Sequence, residues 1–139
     1  LMAKMDEAEG AGIDCYVEVK SDLAGLPMKE WDLCRVVSNL IDNAIAALSQ
    51  TEREKTLEID ISEDPEVYRI GIANSGPEIP EPLRQRIFER GFSTKQGSGH
   101  GQGLAIVTEL LREAGGRVQV SSEADRTQFT VEIRKGGIR

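Results

Sequence analysis

Apolar residues recur along this chain with two periods, and the periods divide it into elements. Ile13-Asp14-Cys15-Tyr16-Val17-Glu18-Val19 alternates mostly at period two and is rich in strand formers, which predicts a strand with one buried face. After Pro27 the spacing changes to three and four. Trp31, Cys34, Val37, Leu40, Ile41, Ala44, Ile45 and Leu48 then mark the apolar stripe of an amphipathic helix over residues 28–50. Residues 51–55 are a polar loop. Residues 57–61 and 67–73 return to the strand pattern and are expected to pair as a hairpin around Glu63-Asp64-Pro65.

From Asn74 to Gln102 the pattern breaks. Gly76, Pro77, Pro80, Pro82, Gly91, Gly97, Gly99 and Gly101 punctuate this stretch, and a short helical pattern over 81–90 is its only regular piece. A loop of this length in a small domain is usually functional. Helical spacing resumes at Gly103, with Leu104, Ile106, Val107, Leu110 and Leu111 on the buried side, and Gly115-Gly116 is the expected stop. Strands are predicted at 117–121 and 127–134. The order β-α-β-β-loop-α-β-β predicts an α/β (α+β) two-layer fold: one mixed sheet with helices on one face.

The 139 residues suit a single domain, and a net charge of −7 with 4% aromatics argues against nucleic-acid or membrane-surface binding. No apolar run approaches the ~20 residues that span a bilayer. Cys15 and Cys34 form no CxxC pair, and buried reduced thiols in a cytoplasmic protein are expected. The start, Leu1-Met2-Ala3, has no signal-peptide pattern and suggests a piece of a longer protein, whose own membrane anchoring is left open.

Three features carry candidate chemistry. Asn39 and Asn43, four apart on one helix face, offer carboxamide oxygens able to complete a Mg²⁺ shell that already holds phosphates and water. They are equally readable as polar residues on a solvated face. Asn74-Ser75-Gly76-Pro77 ends an apolar strand and is either a base-recognition edge or a turn. Gly97-Ser98-Gly99-His100-Gly101-Gln102-Gly103 leads into a helix, where backbone N–H groups and the helix dipole could cradle an anion. It has neither the Walker ending nor dinucleotide spacing.

Together the features are more specific. Asn39-x-x-x-Asn43, Asn74-x-Gly76-Pro77, Ile87-Phe88-Glu89-Arg90-Gly91-Phe92-Ser93-Thr94-Lys95 and Gly99-His100-Gly101-Gln102-Gly103-Leu104 resemble, in order, the N, G1, F and G2 boxes of the histidine-kinase ATP-binding domain. That superfamily includes gyrase and the mismatch-repair ATPases. The F-box phrase looks most like the citrate/fumarate-sensor and quorum-sensing receptor branches. The resemblance implies the Bergerat fold, with ATP and Mg²⁺ under a long lid, in residues 11–139. Residues 1–10 would be the tail of a preceding dimerisation helix.

It further implies Asn43 as Mg²⁺ ligand, Asn39 beside it at the phosphates, and Asn74 and Gly76 at the adenine. Lys95, His100, Gly101 and Gly103 would lie along the phosphates, Phe88 and Phe92 would set the lid, Thr127 would back the adenine edge, and Ile79, Gly99, Gln102 and Leu104 would complete the nucleotide-binding set. Asn39, Asn43 and Lys95 would be the catalytic set. Where gyrase-type members use a glutamate to activate water, Asn39 cannot take a proton, so slow hydrolysis and phosphoryl transfer are expected.

Asn74 replaces the usual aspartate, which predicts weaker adenine discrimination, and Glu78 adds negative charge near the site. The expected function is the catalytic domain of a two-component sensor histidine kinase, acting on its own dimerisation domain and feeding a response regulator. His100 lies in the glycine loop, so no phosphoacceptor histidine is present; the fragment should be a monomer that does not autophosphorylate. The rival readings are a degenerate docking scaffold and an anti-sigma-type serine kinase.

Overall fold

The computed structural model describes residues 2–50, 54–89 and 103–135. Its elements are helix α1 (Met2–Gly10), strand β1 (Asp14–Val19), helix α2 (Glu30–Leu48), strands β2 (Thr56–Glu63) and β3 (Val67–Asn74), two short 3₁₀ turns (Glu81–Leu83 and Arg86–Phe88), helix α3 (Gly103–Glu113), and strands β4 (Gly116–Glu123) and β5 (Arg126–Arg134). The sheet order is β1-β2-β3-β5-β4, with β1 parallel to β2 and the other pairs antiparallel. The expected mixed sheet and hairpins are therefore present. Asp64 shapes the β2–β3 turn by accepting from the Glu66 and Val67 N–H groups at 2.7 and 2.9 Å.

Alternation along the strands separates the sheet's two faces. Leu57, Ile59, Ile70, Ile72, Phe129, Val131 and Ile133 join Val36, Leu40, Ile41, Leu48, Val107 and Leu111 of the helices in one buried core. The opposite face carries polar residues, including an ion-paired cluster in which Glu132 meets Arg69 at 2.9 Å and Arg117 at 3.0 Å. Helix α1 adds Met5 and Ala8 to the core, and Lys4 ties it to Asp42 of α2 at 2.7 Å. Helix α3 stops where Gly115 takes φ 77°, as its sequence predicts. A Cβ at Gly116, the next residue, would lie 2.8 Å from Ile133 Cγ1 and 2.9 Å from the Glu132 carbonyl oxygen.

Four expectations are corrected. Strand β1 has no well-buried face: Val17 is 45% and Val19 59% exposed, and Tyr16 on the other side is 58% exposed. It is an edge strand, paired only with β2, and period-two alternation does not reveal position in a sheet. In α2 the buried stripe is Val36, Leu40, Ile41, Ala44 and Leu48, whereas Trp31 is 77% exposed and Cys34 is also exposed. At roughly 100° per residue, Trp31 points about 180° away from Leu40, and Cys34 about 120° away. Cys15 is only partly buried, so neither thiol is a fully buried core group; burial nevertheless pushes the Cys15 thiol up from its ordinary value. Finally, the pattern at 81–90 forms two 3₁₀ turns where one helix was expected, with Pro82 inside the first; proline provides no N–H to continue a helix.

Candidate nucleotide site

The site grows from three element ends. On α2, Asn39 and Asn43 are partly buried and flank the apolar stripe. Gly103, the first residue of α3, lies against Asn39: a Cβ there would sit 3.3 Å from Asn39 Oδ1. A side chain there would press the carboxamide aside by a few tenths of an ångström, so glycine allows the closest approach between these two segments, which are 64 residues apart in the sequence. Leu104, the next residue, is buried and anchors this helix end. The resulting corner sets the Asn39 carboxamide against the positive end of a helix, an arrangement that suits an anion. Among the described residues no group of three or more His, Cys, Asp or Glu could hold a metal ion.

The second element end is the sheet edge at Asn74. Its side chain is 3% exposed and lies in register between Leu57 of β2 and Thr127 of β5. Its Nδ2 donates to the Ser75 carbonyl at 2.7 Å. Reversing the carboxamide would set oxygen against oxygen, so one polarity is selected and Asn74 is not a freely flipping donor–acceptor. Gly76, at φ +132°, turns the chain back over this group, and a Cβ there would lie 3.5 Å from Asn74 Nδ2 and 3.9 Å from Leu48 Cδ2.

The third end is the β4–β5 hairpin. Thr127, 4% exposed, shares a 2.7 Å hydroxyl pair with Ser122, and the Ile79 N–H donates to Ser122 Oγ at 2.8 Å. Arg84 clasps the same stretch, donating to the Ile79 carbonyl at 3.0 Å and to Glu78 at 2.9 Å. The Glu78 charge is consequently paired on the surface. Phe88 packs edge-on against Phe129, centroids 6.0 Å apart, which roots the segment in the core. Ser122 and Ser75 are contributors that the motif reading passed over. The alternation Val118, Val120, Ser122 was the available signal for an inward hydroxyl.

A cavity of about 630 Å³ adjoins this edge, lined by residues including Thr56, Ser75, Gly76, Glu54 and Asp125. Of the candidate site residues only Gly76 lines it; Asn39, Asn43, Asn74, Ile79 and Thr127 do not. Asn39 and Gly103 are thus brought together, as are Asn74, Gly76, Ile79 and Thr127 around one hydrogen-bonded edge. Phe92, Lys95, Gly99, His100, Gly101 and Gln102 lie outside the described residues.

This geometry defines an α/β domain whose candidate site residues gather at the ends of α2, α3, β3 and β5. The chain belongs to the histidine kinase-, DNA gyrase B- and HSP90-like ATPase family, whose model matches residues 28–137. It is 32% identical over 139 residues to a probable C4-dicarboxylate sensor kinase of Halalkalibacterium halodurans, covering 97% of this chain and 26% of that protein. It is 35% identical over 139 residues to the sensor histidine kinase CitA of Klebsiella pneumoniae, covering 96% and 25%. The catalytic domain of histidine kinase ThkA superposes with a TM-score of 0.84 at 25% identity, covering 96% of this chain and 86% of that one. ThkA has also been solved with the response regulator TrrA.

The chain spans about a quarter of the curated relatives' length. The expected fold and the expected kind of domain, an ATP-binding catalytic domain of the sensor-kinase type, are both met. No helix among the described residues is long and apolar enough to cross a membrane.

Proposed function

We propose that this domain binds ATP with Mg²⁺ and presents the γ-phosphate to a histidine on a dimerisation domain of the same parent protein, which then supplies a response regulator. The observation that carries the proposal is the approach of Gly103 to Asn39, which sets a carboxamide beside a helix N-terminus, an arrangement favourable to phosphate. Asn43 would hold the cation, which when bound neutralises phosphate charge. Asn39 would orient the phosphates without drawing a proton from water, which favours transfer over hydrolysis. Lys95, Gly99, His100, Gly101 and Gln102 are assigned to the phosphates, and Phe92 to the lid, from their motif positions alone. Asn74 would accept from the adenine amino group, its polarity held by Ser75. Residues 1–10 are assigned as the end of the preceding helix.

Calorimetric titration with ADP and a non-hydrolysable ATP analogue tests this reading. Micromolar binding is expected, with a Mg²⁺ dependence lost in Asn43→Ala and with GDP bound more weakly than ADP. A folded sample that ignores millimolar nucleotide would return the domain to the scaffold reading. GDP binding as tight as ADP would refute the role given to Asn74.

A further inference from the structure

We propose that strand β1 is a self-association edge: two copies of this chain pair β1 with β1, antiparallel about a two-fold axis at Val17, and join their sheets into one. The proposal is independent of the nucleotide site and replaces the monomer expected from the sequence.

The ladder with β2 fixes which way each backbone group points. The Asp14 N–H donates to the Lys55 carbonyl at 2.9 Å, and the Lys20 N–H donates to the Ile61 carbonyl at 2.7 Å. Backbone groups alternate in direction along a strand, so the even-numbered residues from Asp14 to Lys20 face β2. Cys15, Val17 and Val19 turn their N–H and C=O groups outward. Among the described residues no strand meets that outer edge. The usual protections of an open edge are missing from it: β1 holds no proline, no lysine and no break in its register with β2. Three of the four large apolar side chains exposed among the described residues, Tyr16, Val17 and Val19, lie on it.

The order of residues selects a second copy as the partner. In an antiparallel pair centred on Val17, Val17 faces its own copy and Cys15 faces Val19. All of these carry outward backbone groups, so about six interchain hydrogen bonds can form. The intervening pairs set Asp14 opposite Lys20 and Tyr16 opposite Glu18, and symmetry makes each pair occur twice. Lys20, which bonds Glu18 of its own chain at 2.8 Å, is exposed enough to meet the copy's Asp14 as well. Moving the centre by one residue loses this complementarity. A centre at Tyr16 opposes Asp14 to Glu18, and a centre at Glu18 opposes the two Glu18 side chains. Centres at Cys15 or Val19 overlap at most half of the strand. Pairing β1 with β4, the sheet's other edge, would leave an open row of copies, whereas β1 with β1 closes at two. Val17 and Val19, in register with Ile59 and Ile61, then continue an apolar face into the copy.

Sedimentation equilibrium of the chain between about 1 μM and 1 mM tests the proposal, and a reversible monomer–dimer equilibrium is expected. Hydrogen–deuterium exchange at the two ends of that range reads the direction of the amides. Those of Val17 and Val19 should be protected only in the dimer, and those of Tyr16 and Glu18 at both concentrations. Asp14→Lys and Lys20→Glu should each weaken dimerisation about tenfold by setting like charges opposite one another twice, and the variant carrying both should recover it. Val17→Pro removes an outward N–H while sparing the β2 ladder, so it should abolish the dimer and leave the thermal midpoint nearly unchanged.

A chain that stays monomeric throughout the range would overturn the proposal. Association that ignores both charge reversals, or that leaves the Val17 amide unprotected, would overturn it by placing the contact elsewhere. Growth beyond a dimer would do so by pairing β1 with β4. Should Val17→Pro not fold, the charge exchange decides the register with the same outcomes.

Discussion

Single residues decide how closely the site's parts approach one another, and Gly103 is the clearest case. A methyl there would stand 3.3 Å from Asn39 Oδ1, so the carboxamide would have to shift by a few tenths of an ångström. Alanine is otherwise the better helix former. Gly103→Ala should thus leave the urea midpoint nearly unchanged while weakening ADP by on the order of tenfold, because small misplacements at a phosphate site are expensive. Equal affinity in the variant would separate Asn39 from the phosphates. Asn39, Asn43, Asn74, Gly76 and Gly103 were legible in the sequence because motif order and spacing carry them. Ser75 and Ser122 were not. Their importance lies in one backbone carbonyl and one cross-strand hydroxyl, which appear only once β3, β4 and β5 are set side by side.

At the scale of elements, the sequence was most readable where burial is one-sided. Strand β5 alternates cleanly, β2 does so over its first half, and the central turns of α2 keep their stripe. The misreadings have geometric causes. Trp31 and Cys34 are apolar by type but lie at the wrong helical phase, and β1 has strand chemistry but stands at the sheet's edge. The junction of α3 with β4 tests the packing directly. A Cβ at Gly116 would meet backbone as well as Ile133, and backbone cannot yield as a flexible side chain does. Gly116→Ala is expected to cost about 1–3 kcal/mol by urea denaturation, as overpacking does. A cost near zero would mean that the start of β4 can move away from β5.

Across the whole molecule, the polar face of the sheet links stability to pH. Arg69 first, and then Arg117, hold the Glu132 carboxyl below its ordinary range, while the Glu66 and Val67 N–H groups lower that of Asp64. A carboxyl depressed in the folded state contributes stability that is complete above its unfolded value, near 4.5 for glutamate, and is lost as pH falls through the folded value. Lys4, raised chiefly by its bond to Asp42, changes stability only in the alkaline range. The urea midpoint should therefore vary little between about pH 5 and 8 and fall on further acidification, and Glu132→Gln should be less stable at neutral pH with a shallower acid decline. An equally steep acid decline in Glu132→Gln would assign the loss to other carboxylates.

Edge position has a last consequence, in the order in which the molecule opens. Strand β1 shares hydrogen bonds with β2 alone; beyond Val19 the Lys20 N–H donates to the Ile61 carbonyl and Ser21 donates to Glu63, and farther on the Tyr68 hydroxyl donates to the Ala24 carbonyl at 2.6 Å. Strands β3 and β5 each have two neighbours. In hydrogen–deuterium exchange, the β1 amides bonded to β2 should exchange through a partial opening that leaves β3 and β5 protected. Tyr68→Phe should speed that opening and leave the slowest amides unchanged if the tether acts locally. Uniform acceleration would instead make β1 part of the same cooperative unit as the base edge, so that loosening one margin of the sheet would be felt at Asn74.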